Sequence, residues 1–367
     1  MVNKMRKKLF IPGPIEVKAG VLKEMSKPLI GHRGKEASDL QKAISYKLQS
    51  LMFTQNEILL STSSGSGLME GAVRSCTRKC AAILACGAFG ERWYQMAIAN
   101  QVNAELLAVE YGKPIRGEMM KKILDTGKYD LVTVTHNETS TGVMNPLLEI
   151  AGVVKEYPEI VFCVDAVSSL GGVKIAVDEL GIDICLTSSQ KCMGLPPGFS
   201  FCSISQKALE AARGVKYRGI YFDLLGLYEY KIKKDFQYPF TPSLSHMFAL
   251  DSQLDSIMLE GLENRFKRHK IMAKRVQQWA KDKFALFPPE QFASHTVTCI
   301  KNTRKLNVAE LNNKLGEVGF VISNGYGKLK DKTFRIAHMG DLTLKEIEEL
   351  LSVIDSILIS GGEQIYA

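Results

Sequence analysis

The chain has 367 residues, 46% hydrophobic and 23% charged, with a formal net charge of +8 at pH 7. This is ordinary globular composition, long enough for two domains with separate cores, and it contains no apolar run of about 18 residues that would make a transmembrane helix. The basic opening "MVNKMRKKLFIPGP" lacks the apolar stretch of a secretory leader, so a cytoplasmic location and no membrane partner are expected. The eight cysteines form no CxxC pair. Their spacing suggests neither a disulfide framework nor a metal site, in keeping with a reducing compartment. The basic residues are spread along the chain, which reads as solvated helix faces and not a nucleic-acid patch, and a phosphate or carboxylate ligand would also suit them.

In chain order, "FIPGPIEV" reads as an extended arm within residues 1–20. Leu40, Ile44, Leu48 and Leu51 then mark the buried face of a helix. Strand-like runs follow at 57–62, 81–86, 105–111, 130–136, 160–166, 183–188 and 199–205, with helical patterns between most of them. Continuous apolar strands alternating with helices indicate an α/β layer with a mostly parallel seven-stranded sheet, assigned to residues 21–250. After "YPFTPSLS" a long helical stretch runs from about 245 to 284. "HTVTCIKN", a helix at "VAELNNKLGEVG", the strands "FVIS" and "TFRIAHM" and a final helix complete a smaller α+β domain, residues 251–367.

Three features can carry chemistry. "STSSGSGLMEGAV" follows a strand and opens a helix. It is either a small-residue turn or a cradle in which free N–H groups and serine hydroxyls hold an anion. Asp165 ends an apolar strand, where it either caps backbone or faces a cationic ring nitrogen at the ligand-binding ends of a parallel sheet. Lys191, in "LTSSQKCMG", follows one strand later. Alone it reads as a solvated strand end. Together with Asp165 and an anion cradle it forms the set that pyridoxal phosphate needs: phosphate holder, pyridinium partner and Schiff-base lysine.

"SSGSGLME", "GAFGERW", "HNETSTGVMNPL", "VDAVSSLGG", "SSQKCMGLPPG" and "FRIAHMG" resemble the class V aminotransferases of fold type I, nearest the alanine–glyoxylate and serine–pyruvate branch. The resemblance runs over nearly the whole chain. It implies a pyridoxal-phosphate transaminase that moves an amino group from alanine, serine or aspartate to glyoxylate or pyruvate. It implies Lys191 as the cofactor-linked lysine and Asp165 as the partner of the ring nitrogen. Ser64, Gly65, Ser66 and Gln190 would meet the phosphate, Phe89 and Val167 the two ring faces, and Ser140 the ring hydroxyl. Tyr238 and Thr241 would reach the neighbouring subunit's phosphate, implying a homodimer with shared sites. Arg335 would bind the substrate α-carboxylate, as a planar guanidinium can with two parallel hydrogen bonds.

Ser66, Cys192 and Met193 depart from the residues common in that family, and Cys192 reads as packing and not as a nucleophile. His32 or Arg33 of "GHRG" either approaches the substrate entrance or anchors the arm. An alternative is a 2-aminoethylphosphonate–pyruvate aminotransferase, in which asparagine tends to precede the lysine where Gln190 stands here. A cysteine desulfurase would need a cysteine on a mobile loop late in the chain, and Cys299 sits in a strand-like run instead.

Overall fold

All seven strand-like runs of the first two-thirds enter one sheet. Its spatial order is Glu57–Ser61, Ser200–Ile204, Ile184–Ser188, Val161–Asp165, Leu131–Thr135, Ala81–Ala85, Ala104–Ala108. Only Ser200–Ile204 runs antiparallel to its neighbours. The computed structural model describes residues 7–360; residues 1–6 of the expected arm and 361–367 of the expected C-terminal domain lie outside the described residues. Helices cover both faces, which is why the central strands are buried along their whole length and read as unbroken apolar runs.

The helix Lys35–Met52 shows how sequence becomes packing. Ile44, Leu48 and Leu51 lie on one stripe and are buried, with Leu40 half-buried beside them. Each fully buried aliphatic side chain contributes roughly 1.5–3 kcal/mol. The helix stops at Phe53, which takes a left-handed conformation (φ 50°).

The expected long helix at 245–284 is two helices, Leu244–Glu260 and Leu262–Lys283, broken at Gly261 with φ 82°. That backbone is open to glycine at little cost. The first helix packs with the large-sheet core, the second with a four-stranded sheet of Ala285–Leu286, Val297–Lys301, Thr333–Ala337 and Ser323–Asn324. The arm joins this smaller layer. Lys8–Leu9 pairs in parallel with Phe320–Val321, and Phe10 is buried in its core.

One side chain ties the layers together. Arg265, 1% exposed, donates to the carbonyls of Gly171 (2.8 Å) and Cys192 (2.7 Å) and pairs with Glu260 (2.8 Å) and Asp341 (3.0 Å). Removing one partner of a buried ion pair strands the other charge, at about 3–5 kcal/mol. Arg265→Met is therefore expected to lower unfolding free energy by about 3 kcal/mol in urea titrations; a loss under about 1 kcal/mol would show that the pair is not an internal tie.

Candidate active site

Parallel strands place their carboxyl ends along one edge, and the candidate residues gather there. Ser61 ends the first strand, and Ser64 precedes the helix Gly65–Cys76. This helix start leaves N–H groups facing outward with a partial positive charge. Gly65 is required by space: a Cβ there would lie 2.7 Å from Val167 Cγ2. Ser63 does not face the cleft but belongs to a hydroxyl chain, 2.8 Å from Ser61 Oγ and 3.0 Å from Ser200 Oγ.

Asp165 and Lys191 come from adjacent strands, with Asp165 in register with Leu186. The Val167 N–H donates to Asp165 Oδ1 at 2.8 Å. Burial pushes this carboxyl up to about 7; Glu138 adds to the shift, and the Val167 hydrogen bond and the Lys191 charge oppose it. Lys191 sits in a loop held from both sides. Gly194 N–H donates to its carbonyl (2.9 Å), Arg265 to that of Cys192, and Ile15 N–H to that of Gln190 (3.3 Å). Its ammonium donates to the Pro12 carbonyl of the arm. Gly13 (φ 127°) lies over it so closely that a Cβ would be 2.6 Å from Nζ. Burial and then the Arg335 charge lower the amine to about 8, with Cys192 and Asp165 opposing the shift.

A cleft of about 280 Å³ is lined by Ser64, Gly65, Ser66, Phe89, Asp165, Val167, Gln190 and Lys191. Ser188, Asn137, Thr139, Ser168, Met69 and Arg92 complete it. Ser188 Oγ and Gln190 Oε1 are buried there without hydrogen-bond partners. Buried polar atoms left unpaired cost about 1–3 kcal/mol each, so a ligand with polar groups is their natural complement. Arg335, 6% exposed, donates to Asn324 O (3.1 Å from Nε), Thr139 O (3.2 Å from Nη1) and Ser323 Oγ (2.9 Å from Nη2). All these acceptors are neutral, and among the described residues no carboxylate pairs with it.

The sequence pattern of the family Aminotransferase class-V matches residues 30–328. The chain belongs to the class-V aminotransferases. A Methanocaldococcus jannaschii protein described as an uncharacterized aminotransferase is 38% identical over 99% of this chain and 96% of its own. A protein named soluble hydrogenase, small subunit, from a Synechococcus species is 34% identical over 96% of this chain and 93% of its own. The crystal structure of an alanine–glyoxylate aminotransferase from a Nostoc species superposes with a TM-score of 0.90 at 25% identity, covering 96% of this chain and 95% of that one. The chain is accordingly a pyridoxal-phosphate-dependent transaminase. The cleft fits that cofactor on its own terms: unpaired donors and acceptors near a helix N-terminus, a buried carboxylate with one described hydrogen bond, and a buried amine.

Some expected residues of this class-V site lie elsewhere. Ser140 is fully buried and does not line the cleft. Its hydroxyl donates to Glu138 Oε1 (2.5 Å) and accepts from Ala88 N–H (3.0 Å). Glu138 in turn accepts from Phe89 N–H (3.1 Å) and Gly90 N–H (3.0 Å), fixing the start of the helix that carries Phe89. Its neighbour Thr139 lines the cleft instead. Tyr238 is buried among Phe240 and its neighbours, and Thr241 is exposed; neither lines this chain's cleft. Arg33 anchors their segment, donating to Tyr238 O (2.5 Å) and Pro239 O (2.9 Å). Cys192 points away into a pocket of Ile15, Val297 and Met339, where burial pushes its thiol up to about 11. Cys299 is buried in its strand with its thiol pushed up to about 12, unlike the exposed low-pKa thiol a desulfurase reaction uses.

Ser188 and Arg92 were missed, although both had a signal. Ser188 is the last residue of its strand, two before Gln190. Arg92 lies three residues after Phe89 on a helix, hence on the same face.

An amine attacks a carbonyl only in its neutral form, so with Lys191 as the capturing amine, cofactor capture by the apoprotein is expected to speed up with rising pH, half-maximal near 8. Asp165 raises the amine's pKa, so Asp165→Asn is expected to move that midpoint down. Stopped-flow absorbance across pH 6–10 checks this; a midpoint at the ordinary lysine value of 10.5 would contradict the desolvated amine.

Proposed function

We propose that this chain transfers the amino group of a small amino acid (alanine, serine or aspartate) to glyoxylate or pyruvate, with Lys191 as its catalytic residue. One observation carries the reading. A buried amine and a buried carboxylate line one cleft that begins at a helix N-terminus, and Arg335, without a carboxylate partner among the described residues, borders that cleft through the carbonyl of Thr139.

In this reading Ser64, Gly65 and Ser66 hold the cofactor phosphate with the N–H groups of the helix start, and Gln190 adds its side chain. Asp165 keeps a proton on the ring nitrogen, because its carboxylate is the only acid among the described residues lining the cleft. Phe89 and Val167 pack on the two ring faces. Bound pyridoxal phosphate supplies an electron sink that stabilises the carbanion left when the substrate's α-proton departs. Lys191 takes that proton from the α-carbon, a step suited to an amine whose pKa of about 8 lies close to neutral pH. Arg335 draws the α-carboxylate, the anion its buried charge lacks among the described residues. Thr139 stands where Ser140 was expected, with its hydroxyl donating to Ser168 Oγ at 2.9 Å.

We further infer a homodimer. Thr241 is exposed and does not reach its own cleft, and Arg33 holds the segment that carries it through the carbonyls of Tyr238 and Pro239, as a part presented to a second copy would be. Residues 1–20, 21–250 and 251–367 are taken as arm, cofactor-binding domain and C-terminal domain; the helix breaks at Gly261, inside the last of these, after a first helix whose Leu254 and Ile257 still pack with the large-sheet core.

The holoenzyme is expected to absorb visible light, and Lys191→Ala to lose the covalent linkage that gives this colour. Mixed with single amino acids, the wild type should convert with alanine, serine or aspartate. Conversion with 2-aminoethylphosphonate alone would favour the phosphonate transaminase. Arg335→Ala is expected to raise KM for carboxylate substrates roughly 10- to 100-fold with cofactor uptake retained; an unchanged KM removes Arg335 from substrate binding.

A further inference from the structure

We propose that Arg92 is a second anion-binding residue of the substrate cleft and selects amino acids that carry a side-chain carboxylate. The inference rests on the transaminase reading above and narrows its substrate class.

The first ground is a count of charges and their partners. Within the cleft, Asp165 is the only acid, and Lys191 and Arg92 are the cations. In the reading above, the cofactor phosphate is met by the helix start and serine hydroxyls, the ring nitrogen by Asp165, and the α-carboxylate by Arg335. Arg92 is left over. Among the described residues no carboxylate pairs with it, since neighbouring Glu91 is engaged by Lys328 at 3.1 Å. A guanidinium stays charged at any working pH, so its field in the cleft persists until an anion answers it.

The second ground is orientation. The Arg92 guanidinium lies 4.8 Å from the centroid of the Phe89 ring, and its Nη2 donates to the Tyr326 hydroxyl at 2.9 Å. Phe89 and Tyr326 stack at 5.5 Å with their planes 25° apart. The Arg335 guanidinium lies 5.6 Å from the same Tyr326 ring. Tyr326 thus touches both arginines, and the aromatic pair holds Arg92 in place before any substrate arrives. Its Nε and Nη1 have no described hydrogen-bond partners, and these leave part of a planar fork free for a carboxylate. Arg335, by contrast, already gives all three of its nitrogens to neutral oxygens. Arg335 keeps its charge and a second Nη1 N–H beside Thr139, so the two guanidinium groups mark two distinct positions for an anion, and both charges bear on the amine of Lys191. An amino acid with two carboxylates meets both; alanine and serine meet one.

The test compares half-reactions of the holoenzyme with L-aspartate, L-alanine and 2-aminoethylphosphonate, and measures inhibition by succinate and propionate, which carry two carboxylates and one. In the wild type, aspartate is expected to exceed alanine in kcat/KM, and succinate to bind more tightly than propionate. Arg92→Met is expected to lower kcat/KM for aspartate roughly 10- to 100-fold more than for alanine and to erase the succinate preference; Arg92→Lys restores part of both. If aspartate and alanine fall together, Arg92 serves the shared α-carboxylate or the packing of Phe89, and the proposal is overturned. An unchanged aspartate-to-alanine ratio overturns it as well. So does a wild type that prefers 2-aminoethylphosphonate to both and loses that preference in Arg92→Met, since the site would then take a single phosphonate. If no donor reacts with the wild type, the transaminase reading fails, and the succinate-to-propionate ratio still decides whether Arg92 binds a second carboxylate.

Discussion

The site depends on charges that are buried near one another without being allowed to neutralise one another. Lys191, Asp165 and Arg335 are all withdrawn from water, and among the described residues none forms an ion pair with another. Such an arrangement costs several kcal/mol per unpaired ion, or else moves the pKa toward the neutral form. Both displacements are visible: the carboxyl rises to about 7 and the amine falls to about 8. In the proposed reading, a pyridinium nitrogen, a phosphate and a substrate carboxylate would be the counter-charges that the protein withholds from itself. The cost in the free protein is thus offset when the ligands bind, a general reason why perturbed groups gather at functional sites.

Keeping these groups apart is the work of the backbone. Two adjacent parallel strands deliver Asp165 and the Lys191 loop to the same edge, and the loop is held at Gln190 by Ile15, at Lys191 by Gly194 and at Cys192 by Arg265. The arm supplies a neutral acceptor, the Pro12 carbonyl, for the ammonium that would otherwise seek Asp165. Gly13 makes that approach possible because no side chain stands between arm and lysine. The same arm pairs with Phe320–Val321 of the smaller layer, so the resting position of Lys191 is tied to that layer.

The seven strands were legible because burial on both faces leaves an unbroken apolar run, a signal that needs no knowledge of the partner strands. Asp165 and Lys191 stood out for the complementary reason that a charged residue at the end of such a run demands an explanation. The break at Gly261 was hidden, since a helical pattern of apolar residues continues across it and only the backbone conformation marks the change of layer. The misplacement of Ser140 has a similar origin. In "NETSTG" consecutive small hydroxyl residues look interchangeable, and only the fold shows that Ser140 serves Glu138 and the helix start while Thr139 meets the cleft. Arg92 escaped notice because arginine on a helix is ordinarily a solvated residue. Its role becomes visible only when Phe89 and Tyr326 are seen to hold it over the cleft.

Arg335 and Arg92 also show how the two layers communicate. Arg335 belongs to the smaller sheet, yet its Nη1 donates to the carbonyl of Thr139 in a turn of the larger layer. Arg92 belongs to a helix on the larger sheet, yet it donates to Tyr326 from the smaller layer. Each arginine therefore spans the boundary, and Tyr326 stacks between their supports. An anion that draws on either guanidinium pulls on a bond that crosses from one layer to the other. If substrate binds these arginines as proposed, its binding and the relative position of the layers would be coupled by the same few hydrogen bonds, and a ligand engaging both arginines would be coupled twice.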